Sequence, residues 1–392
     1  MRLGAVFSGA VLVLTTSAFG QEAATDATAT EEAESDSEVG SVIEEESFVS
    51  PRTHAMGGAV ITVADDLDAA FTNPAGIGGL GWGKKDPPYT RKLYFPWLGV
   101  GANKNSAGLY REVRNSEEGS KGAMTKAIVD AHGGERQYAR SNMILGLVFG
   151  RTMVVPFADL QLAATSQGEG SDTIDMKYRS MTGVGYGFSA QDGEGRLSLG
   201  YFGYSATRSE TSGEFSYLTV IDAEERKAAL ADNSADYTGI GHNAGIIWRM
   251  SKTGKPSLGI AMKNIGDTTF AGKGDDLVIK QDLAAGFSVS PQVGKSGSLN
   301  MVIQADRLMD DEVSFTKKYR VGLELNLDGT GTYATFALRG GFNDAGPSGG
   351  LQLNLGLIAV EATVFNVDIG AGNEKVVEQR YMSTIMVNVA EF

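Results

Sequence analysis

The sequence contains no cysteine and only 3 histidines among its 392 residues. Without cysteine, the chain can form neither disulfides nor thiolate metal sites, and it has no lipid-attachment cysteine. The histidines, His54, His132 and His242, are widely separated along the sequence. A histidine metal cluster would therefore need the fold to gather them by coincidence. We predict no metal site and no cofactor.

Catalytic motifs are also scarce. Gly346 to Gly350 read G-P-S-G-G, which fits the G-x-S-x-G pattern of hydrolases. That motif requires a strand followed by a helix, and here we expect a turn between strands. Gly294-Lys295-Ser296 is similar to the end of a phosphate loop, but Val289 stands where that loop needs its first glycine. We predict that the chain is not an enzyme.

Long apolar runs are absent after the amino terminus. Arg2 precedes the apolar stretch 3–14, and Ala18-Phe19-Gly20 provides the small residues of a signal peptidase site. A membrane anchor needs about 18 apolar residues, and this stretch turns polar at Thr15. We predict that residues 1–20 are a signal peptide that exports the chain.

The negative charge is concentrated in one segment. Residues 21–50 contain ten acidic and no basic side chains, whereas residues 51–392 contain 33 basic and 38 acidic side chains. The segment has too few apolar residues to offset the entropy of ordering, so we predict a disordered acidic linker. The near balance of charge after residue 50 gives no indication of nucleic-acid binding.

The remaining sequence alternates between apolar and polar residues with a period of two. Between 174 and 188 the even positions include Tyr178, Tyr186 and Phe188, and the odd positions are mainly charged residues and glycines. The ranges 319–327 and 351–357 repeat this pattern. Alternation of this kind predicts β-strands, and turn sequences rich in glycine, asparagine and aspartate predict antiparallel hairpins.

The distribution of side chains favours a membrane barrel over a soluble β-sandwich. Aromatic residues near strand ends on the apolar face are typical of the girdles of a membrane barrel. We expect Arg179, Arg320, Glu324 and Arg339 to point inward. We therefore predict an all-β protein: an antiparallel transmembrane barrel of about 14 strands over 92–392, with longer loops near 105–140 and 210–236.

Residues 51–91 form a glycine-rich segment before the predicted barrel. We expect Asp65 and Asp66 to cap a short helix through Phe71, and Asn73-Pro74 to end it. The glycines allow close backbone approach. We predict that this segment is a small hatch that fills part of the barrel lumen. Its candidate residues for the hatch and ligand path are Met56, Gly57, Gly58, Asn73, Pro74, Ala75 and Gly76.

These residues resemble a known superfamily. Arg52, Ala55-Met56-Gly57-Gly58-Ala59, Asp65 or Asp66, and Asn73-Pro74-Ala75-Gly76 are similar to the hatch region of FadL-like outer-membrane transporters and their PorV-like relatives. Further along, Lys263-Asn264-Ile265-Gly266-Asp267, Ala305-Asp306-Arg307 and Gly322-Leu323-Glu324 resemble the PorV-like branch. The resemblance implies an outer-membrane barrel whose hatch contains Asn73, Pro74 and Ala75.

Two functions follow from that resemblance. The first is a channel or transporter for small hydrophobic molecules, gated by the hatch. The alternative is a scaffold or shuttle in protein secretion or surface attachment. A structural or adhesive role, which needs only the barrel and its long loops, is a third possibility that does not depend on the resemblance. The expected partners are outer-membrane lipid, a hydrophobic small molecule or secretion-system proteins, and the barrel assembly machinery, which would recognise the terminal strand ending at Phe392.

Overall fold

The computed structural model describes most of the chain after the acidic segment. The described residues are 48–80, 91–106, 134–166, 173–216, 225, 228, 233–251, 254–272, 275–294, 297–328, 334–356, 358–370 and 375–391. The predicted signal peptide, nearly all of the acidic linker, the central part of the 105–140 loop, most of residues 217–232 and Phe392 lie outside them.

The amino-terminal part of the described chain, residues 48–80, consists of short helices and turns, and we call it the luminal segment. Its elements are α1 (Pro51–Ala55), α2 (Ala69–Thr72), a 3-10 turn (Pro74–Gly76) and α3 (Ile77–Leu80). A fourth short helix, α4 (Phe315–Lys318), lies between strands later in the chain. Within the described ranges, no helix has the length and apolar character needed to cross a membrane.

Apart from helical residues at 104–106, 225 and 228, the other regular structure of the described residues is β-strand. The strands are β1 (Arg91–Asn103), β2 (Arg136–Phe149), β3 (Thr152–Ser166), β4 (Thr173–Gln191), β5 (Leu197–Ser216), β6 (Ser234–Arg249), β7 (Ser257–Lys263), β8 (Thr268–Gly272), β9 (Leu277–Ile279), β10 (Asp282–Val289), β11 (Gln292–Val293), β12 (Gly297–Ala305), β13 (Tyr319–Asp328), β14 (Ala334–Asn343), β15 (Gly346–Leu355), β16 (Ile358–Asp368) and β17 (Val377–Glu391).

These segments form one closed antiparallel sheet. Strands pair in sequence order except where one strand of the wall is interrupted, and β17 closes the ring by pairing with β1, for example Leu98 with Ile385. β8 continues the line of β7 along β6, and β9 and β11 continue the line of β10. The wall of the barrel therefore has 14 strands, which confirms the predicted fold class.

The exterior of the wall is apolar. Tyr186 is 51% exposed and Phe188 is 45% exposed, and both belong to the alternating face on which the sequence predicts an aromatic girdle. The opposite face points into the lumen and buries Arg179, Glu324 and Arg339. A barrel with an apolar outer face and charged inward side chains has the architecture of an outer-membrane barrel. The predicted orientation of both faces is confirmed.

Two details of the sequence interpretation are wrong. The predicted loop near 210–236 begins too early, because β5 continues without a break to Ser216. The Gly346–Gly350 motif does not lie in a turn, because the chain turns at Asp344-Ala345 and Gly346 already begins β15. Ser348 is thus a strand residue, and its hydroxyl donates a 3.0 Å hydrogen bond to the carbonyl oxygen of Ala55 in the luminal segment.

Candidate functional site

The luminal segment crosses the inside of the barrel from one wall to the opposite one. α1 packs against β14, β15 and β16, whereas the 3-10 turn packs against β4, β5 and β6, about half a circumference away. Most of its side chains are buried, including Met56, Ala59 and Asn73, each 0% exposed. The segment is therefore packed against the wall at both of its ends.

On one side of the lumen the contacts are ionic. Arg52 donates from Nε and Nη2 to the two carboxylate oxygens of Glu324, both at 2.8 Å. Arg339 donates to the same carboxylate at 2.7 Å and to Glu361 at 3.1 Å. Asn300 and Asn326 also donate to Glu324. We call this set of Arg52 with inward residues of β12 to β16 the ionic side.

The ionic side satisfies charges that would be costly to bury alone. The side chain of Glu324 is only 1% exposed and that of Arg52 is 8% exposed. A buried charge left without a partner costs several kcal/mol, whereas a bidentate arginine–carboxylate pair gives both strength and a fixed geometry. Burial by itself lowers the pKa of Arg52, but Asp65, Glu324 and Asp66 together raise it well above the usual range. Arg52 is thus held in its charged form.

On the other side of the lumen the contacts are aromatic. Phe71 of the luminal segment lies 5.2 Å from the ring of Phe157 and 5.1 Å from that of Phe202, both edge-on. Phe48 stacks on Phe71 at 5.1 Å. Around these rings the wall contributes further buried apolar side chains, among them Trp97, Ile144, Val155, Met181, Tyr204 and Phe270. We call this cluster the aromatic side.

Hydrogen bonds also tie the backbone of the luminal segment to the wall. The side-chain oxygen of Gln304 accepts from the amides of Val60 and Ile61, at 3.0 and 2.9 Å. Asn243 donates to the carbonyl of Ala70 at 3.4 Å. Short helices and turns leave backbone groups without internal partners, and these wall side chains satisfy several of them.

Missing side chains on the wall make room for this backbone. A Cβ atom on Gly245 would lie 1.9 Å from Oδ1 of Asn73, and one on Gly200 would lie 2.0 Å from the carbonyl carbon of Pro74. A Cβ on Gly341 would lie 2.1 Å from the carbonyl carbon of Met56. Real atoms do not approach so closely, so glycine is required at all of these inward positions.

The predicted hatch residues fall into two groups, which the structure holds apart. Met56, Gly57 and Gly58 end α1 beside β13 and β14, and both glycines have positive φ, at 63° and 89°. Asn73, Pro74, Ala75 and Gly76 lie across the lumen against β4 to β6. Asn73 accepts from the amide of Ala75 at 3.1 Å and donates to the carbonyl of Ile61 at 2.7 Å.

The predicted roles of the aspartates are wrong. α2 begins after Asp68, and neither Asp65 nor Asp66 caps it. Instead both carboxylates bind Arg52, Asp66 at 3.2 Å. Asn73 does end α2, as the sequence predicts, since the helix stops at Thr72. The ring of His54 stacks on Phe365 at 3.8 Å.

Sequence reasoning missed how the wall receives the luminal segment. Glu324 was predicted only to point inward, and the residues that bind backbone groups, Gln304 and Asn243, were not singled out. One feature of the sequence could have indicated these contacts. Glycines recur on the polar face of the alternating strands, and glycine in a strand often marks a place where another backbone approaches closely. Together these features define the class of protein: a membrane barrel of 14 strands with a packed luminal segment.

Comparisons with known proteins extend this description. No family model matches the chain, and no curated protein matches it. Among solved structures, it is similar to the P. putida toluene transporter TodX, with 10% identity over 89% of this chain and 100% of the other, at a TM-score of 0.50. A TodX deltaS2S3 mutant, described as a monoaromatic hydrocarbon channel, also gives 0.50, with 10% identity over 86% of this chain and 98% of the other.

A third solved structure, the CymD monoaromatic hydrocarbon channel, has 10% identity to this chain, covers 89% of it and 98% of CymD, and gives a TM-score of 0.49. Similarity at about one residue in ten establishes fold and nothing beyond it. The chain therefore has the fold of the FadL-like outer-membrane barrels, as its motifs predict.

Proposed function

We propose that this chain is an outer-membrane channel for small hydrophobic molecules and that residues 51–91, of which 51–80 belong to the luminal segment, act as its hatch. The observation that carries the proposal is the aromatic side, an apolar cluster inside the lumen. General porins have polar, water-filled lumens. A lumen with apolar walls on one side offers a hydrophobic molecule a favourable environment, because such a molecule gains free energy when it leaves water.

The contact between the hatch and the wall suits such a route. Phe71 of the hatch is only half-buried, and its ring contacts Phe157 and Phe202 of the wall. When these rings separate, an aromatic or aliphatic guest can replace the lost contacts, whereas water cannot. In this proposal the turn Asn73 to Gly76 and the residues Met56, Gly57 and Gly58 flank the ligand path at its two ends.

The structural neighbours agree with this function without establishing it. TodX is a toluene transporter and CymD is a monoaromatic hydrocarbon channel by their descriptions. A shared fold can serve several functions, so the apolar lumen of this chain carries the argument. The proposal includes export to the outer membrane, contact with outer-membrane lipid, and insertion by the barrel assembly machinery through the strand ending at Phe392.

A second candidate function is a scaffold or shuttle for protein secretion or surface attachment. The ionic side favours it, because Arg52 and Glu324 fasten α1 to the wall with two charge-assisted hydrogen bonds. A hatch that never moves would make the barrel a closed body whose outer surface binds secretion-system proteins. The two candidates therefore differ in whether the hatch moves.

A reversible cross-link between hatch and wall tests this difference in a chain that has no native cysteine. Ala75→Cys and Ser189→Cys place thiols at neighbouring positions of the 3-10 turn and β4, at the end of the hatch that lies across the lumen from α1. A short bis-methanethiosulfonate reagent joins them, and a reductant separates them again. Uptake of N-phenyl-1-naphthylamine by intact cells measures the entry of an uncharged aromatic molecule, and the heat-modifiable electrophoretic shift shows that the barrel is folded.

We expect cross-linked cells to take up the probe no faster than cells without the protein, and reduction to restore uptake. Leu338→Cys with Leu351→Cys is the control, since these paired residues join β14 to β15 without involving the hatch. If cross-linked and reduced proteins admit the probe equally fast, the hatch is not a gate. If no variant raises uptake above background, the channel proposal fails in favour of the scaffold.

A further inference from the structure

The outer surface of the barrel carries a groove that the proposed transport function does not use. It lies over β5 and β6, beside the break between β7 and β8, and has a volume of about 590 Å³. This is within the range of about 300–1,000 Å³ that small-molecule sites occupy. Its lining is partly polar, which is unusual on the outside of a membrane barrel. The lining residues include Ser205, Thr238, Ile240, His242, Asp267 and Thr269.

A specific backbone feature forms one edge of the groove. Between β7 and β8, Asn264, Gly266 and Asp267 all have positive φ, at 51°, 78° and 60°. Such conformations cost free energy in residues other than glycine and persist where the surroundings impose them. Asn264 accepts hydrogen bonds from Tyr204 at 3.2 Å and from Thr268 at 3.1 Å. The break is therefore an ordered part of the wall.

The adjacent strand of the wall, formed by β9 and β10, is also interrupted at this level. Residues at its break hold the loop between β7 and β8 in place. Gln281, between β9 and β10, donates its amide proton to Asp267 at 2.8 Å. Its side-chain oxygen accepts from the amide of Gly266 at 2.9 Å. Lys280 forms an ion pair with Asp267 at 3.2 Å. The groove thus has a fixed anionic group beside an exposed cationic one.

The groove lies where the outer face changes from apolar to polar. Along β6 the exposed outward side chains run from Trp248 and Ile246 through His242 and Ile240 to Thr238, so polar residues begin at the level of the groove. Along β5 exposed leucines give way to Ser205, which pairs with Ile240. In a membrane barrel this change marks the level of the lipid headgroups. A ligand in the groove would thus meet hydrocarbon on one side and water on the other.

The polar atoms of the groove complement a headgroup with both charges. Nδ1 of His242 is hydrogen-bonded to the hydroxyl of Tyr201 at 2.6 Å, which fixes the ring against the wall. Ser205, Thr238 and Thr269 supply hydroxyl groups, which can donate to phosphate oxygens. The carboxylate of Asp267 can accept from a primary ammonium group.

We propose that this groove binds the phosphoethanolamine headgroup of a membrane phospholipid. The phosphate lies against His242 and the hydroxyls of Thr238 and Thr269, and the ammonium group donates to Asp267. One acyl chain follows the exposed side chains of Ile240 and Ile260. A phosphatidylglycerol headgroup lacks the ammonium, and a phosphatidylcholine headgroup has no N–H to donate. The proposal does not depend on hatch movement or on the transported molecule.

Native mass spectrometry of the full-length protein, titrated separately with phosphatidylethanolamine, phosphatidylglycerol and phosphatidylcholine of identical acyl chains, tests the proposal. We expect phosphatidylethanolamine to bind about tenfold more tightly than the other two, as one charge-assisted hydrogen bond is worth about that factor. Asp267→Asn should remove this preference. The substitution preserves the acceptor for the Gln281 amide and tolerates positive φ, so the wall should remain intact.

Two further variants complete the test. Thr269→Val removes a groove hydroxyl and should weaken phosphatidylethanolamine binding severalfold, whereas Asp344→Asn removes a carboxylate from the β14–β15 turn and should leave binding unchanged. Equal affinity for all three lipids overturns the proposal, as does tighter binding of phosphatidylglycerol. An equal loss in Asp344→Asn and Asp267→Asn also overturns it, because the preference would then reflect overall charge.

Discussion

The two sides of the lumen hold the same segment by different physical means. On the ionic side, Arg52 binds Glu324 through two hydrogen bonds that require one geometry. On the aromatic side, Phe71 meets Phe157 and Phe202 at 5.1–5.2 Å, and such contacts tolerate small displacements. The ionic side therefore defines the position of the segment, whereas the aromatic side can adjust.

This difference suggests how a hatch could move without leaving the barrel. Charge-assisted hydrogen bonds between buried groups are lost almost completely when one partner shifts, because the remaining charge lies unpaired in an apolar environment. Apolar contacts weaken gradually with distance. We therefore expect opening to start on the aromatic side while the ionic side stays closed, so that α1 acts as the fixed end of the hatch.

Loss of the arginine should cause the largest effect. Arg52→Ala leaves Glu324 buried beside Arg339 without its second cationic partner, and breaking a buried pair in this way costs about 3–5 kcal/mol. A reporter thiol at Ala69, which is 0% exposed, should then react with a membrane-impermeant maleimide at least about a hundredfold faster, since each 1.4 kcal/mol is about a factor of ten.

A double variant shows whether the charge itself is responsible. In Arg52→Gln with Glu324→Gln, neither charge remains and amide hydrogen bonds can replace the pair. We expect its labelling rate to lie between those of the original chain and Arg52→Ala. If the double variant reacts as fast as Arg52→Ala, an unpaired charge is not what releases the segment.

Removal of the central ring should have the next largest effect and should act on the other side. Burial of phenylalanine contributes about 3–5 kcal/mol in a closed core, and for the half-buried Phe71 we expect about 2 kcal/mol. Phe71→Ala should also increase uptake of the aromatic probe, because the ring occupies the proposed path. Phe71→Leu is the control, since it retains apolar bulk. Faster thiol labelling of Ala69→Cys without faster uptake would separate packing from transport.

The fold could be predicted in large part because alternation reports directly on the environment of each face. Tyr186 and Phe188 on one face and Arg179 on the other indicate lipid outside and a polar lumen inside, and the structure has this arrangement. The strand count follows less directly, because β7 and β8 are two segments of one strand of the wall, with a break at 264–267 between them.

The contacts of the luminal segment were harder to predict, because they join residues far apart in the sequence. Arg52 and Glu324 are separated by 272 positions, and no local pattern pairs them. Asp65 and Asp66 have the composition of a helix cap, but a buried arginine nearby is a stronger partner than the amides of a four-residue helix. The tertiary contact therefore overrides the local preference.

Substitution of a wall glycine that contacts the luminal segment is a third test of how the segment is held. We expect it to change thiol labelling less than the loss of Arg52 or Phe71. In Gly245→Ala the new methyl group would lie 1.9 Å from Oδ1 of Asn73, so the turn at Pro74 must shift. Overpacking of this kind costs about 1–3 kcal/mol, and we expect labelling of the Ala69 reporter to rise about tenfold. Gly340→Ala is the matched control, because the nearest atom to its methyl group is 4.0 Å away. Equal effects of the two substitutions would show that strand propensity, and not contact with the segment, is responsible.

The smallest expected effect is a dependence of docking on pH through Asp66. Burial raises the pKa of Asp66 well above its usual range, and the neighbouring carboxylate of Asp68 raises it further, although Arg52 opposes both. The docked segment therefore holds this proton more tightly than the released one. Docking is favoured at low pH, and this advantage is lost as pH rises from the usual aspartate pKa through the raised pKa of the docked state.

Thiol labelling of the Ala69 reporter measures this dependence when each rate is divided by that of the denatured chain at the same pH. We expect the normalised rate to rise severalfold with pH, and Asp66→Asn to make it nearly constant, because asparagine cannot titrate. Asp344→Asn, at the turn between β14 and β15, should preserve the dependence. A normalised labelling rate that falls as pH rises would contradict this prediction. So would a pH dependence that is unchanged in Asp66→Asn, because another group would then be the one that titrates.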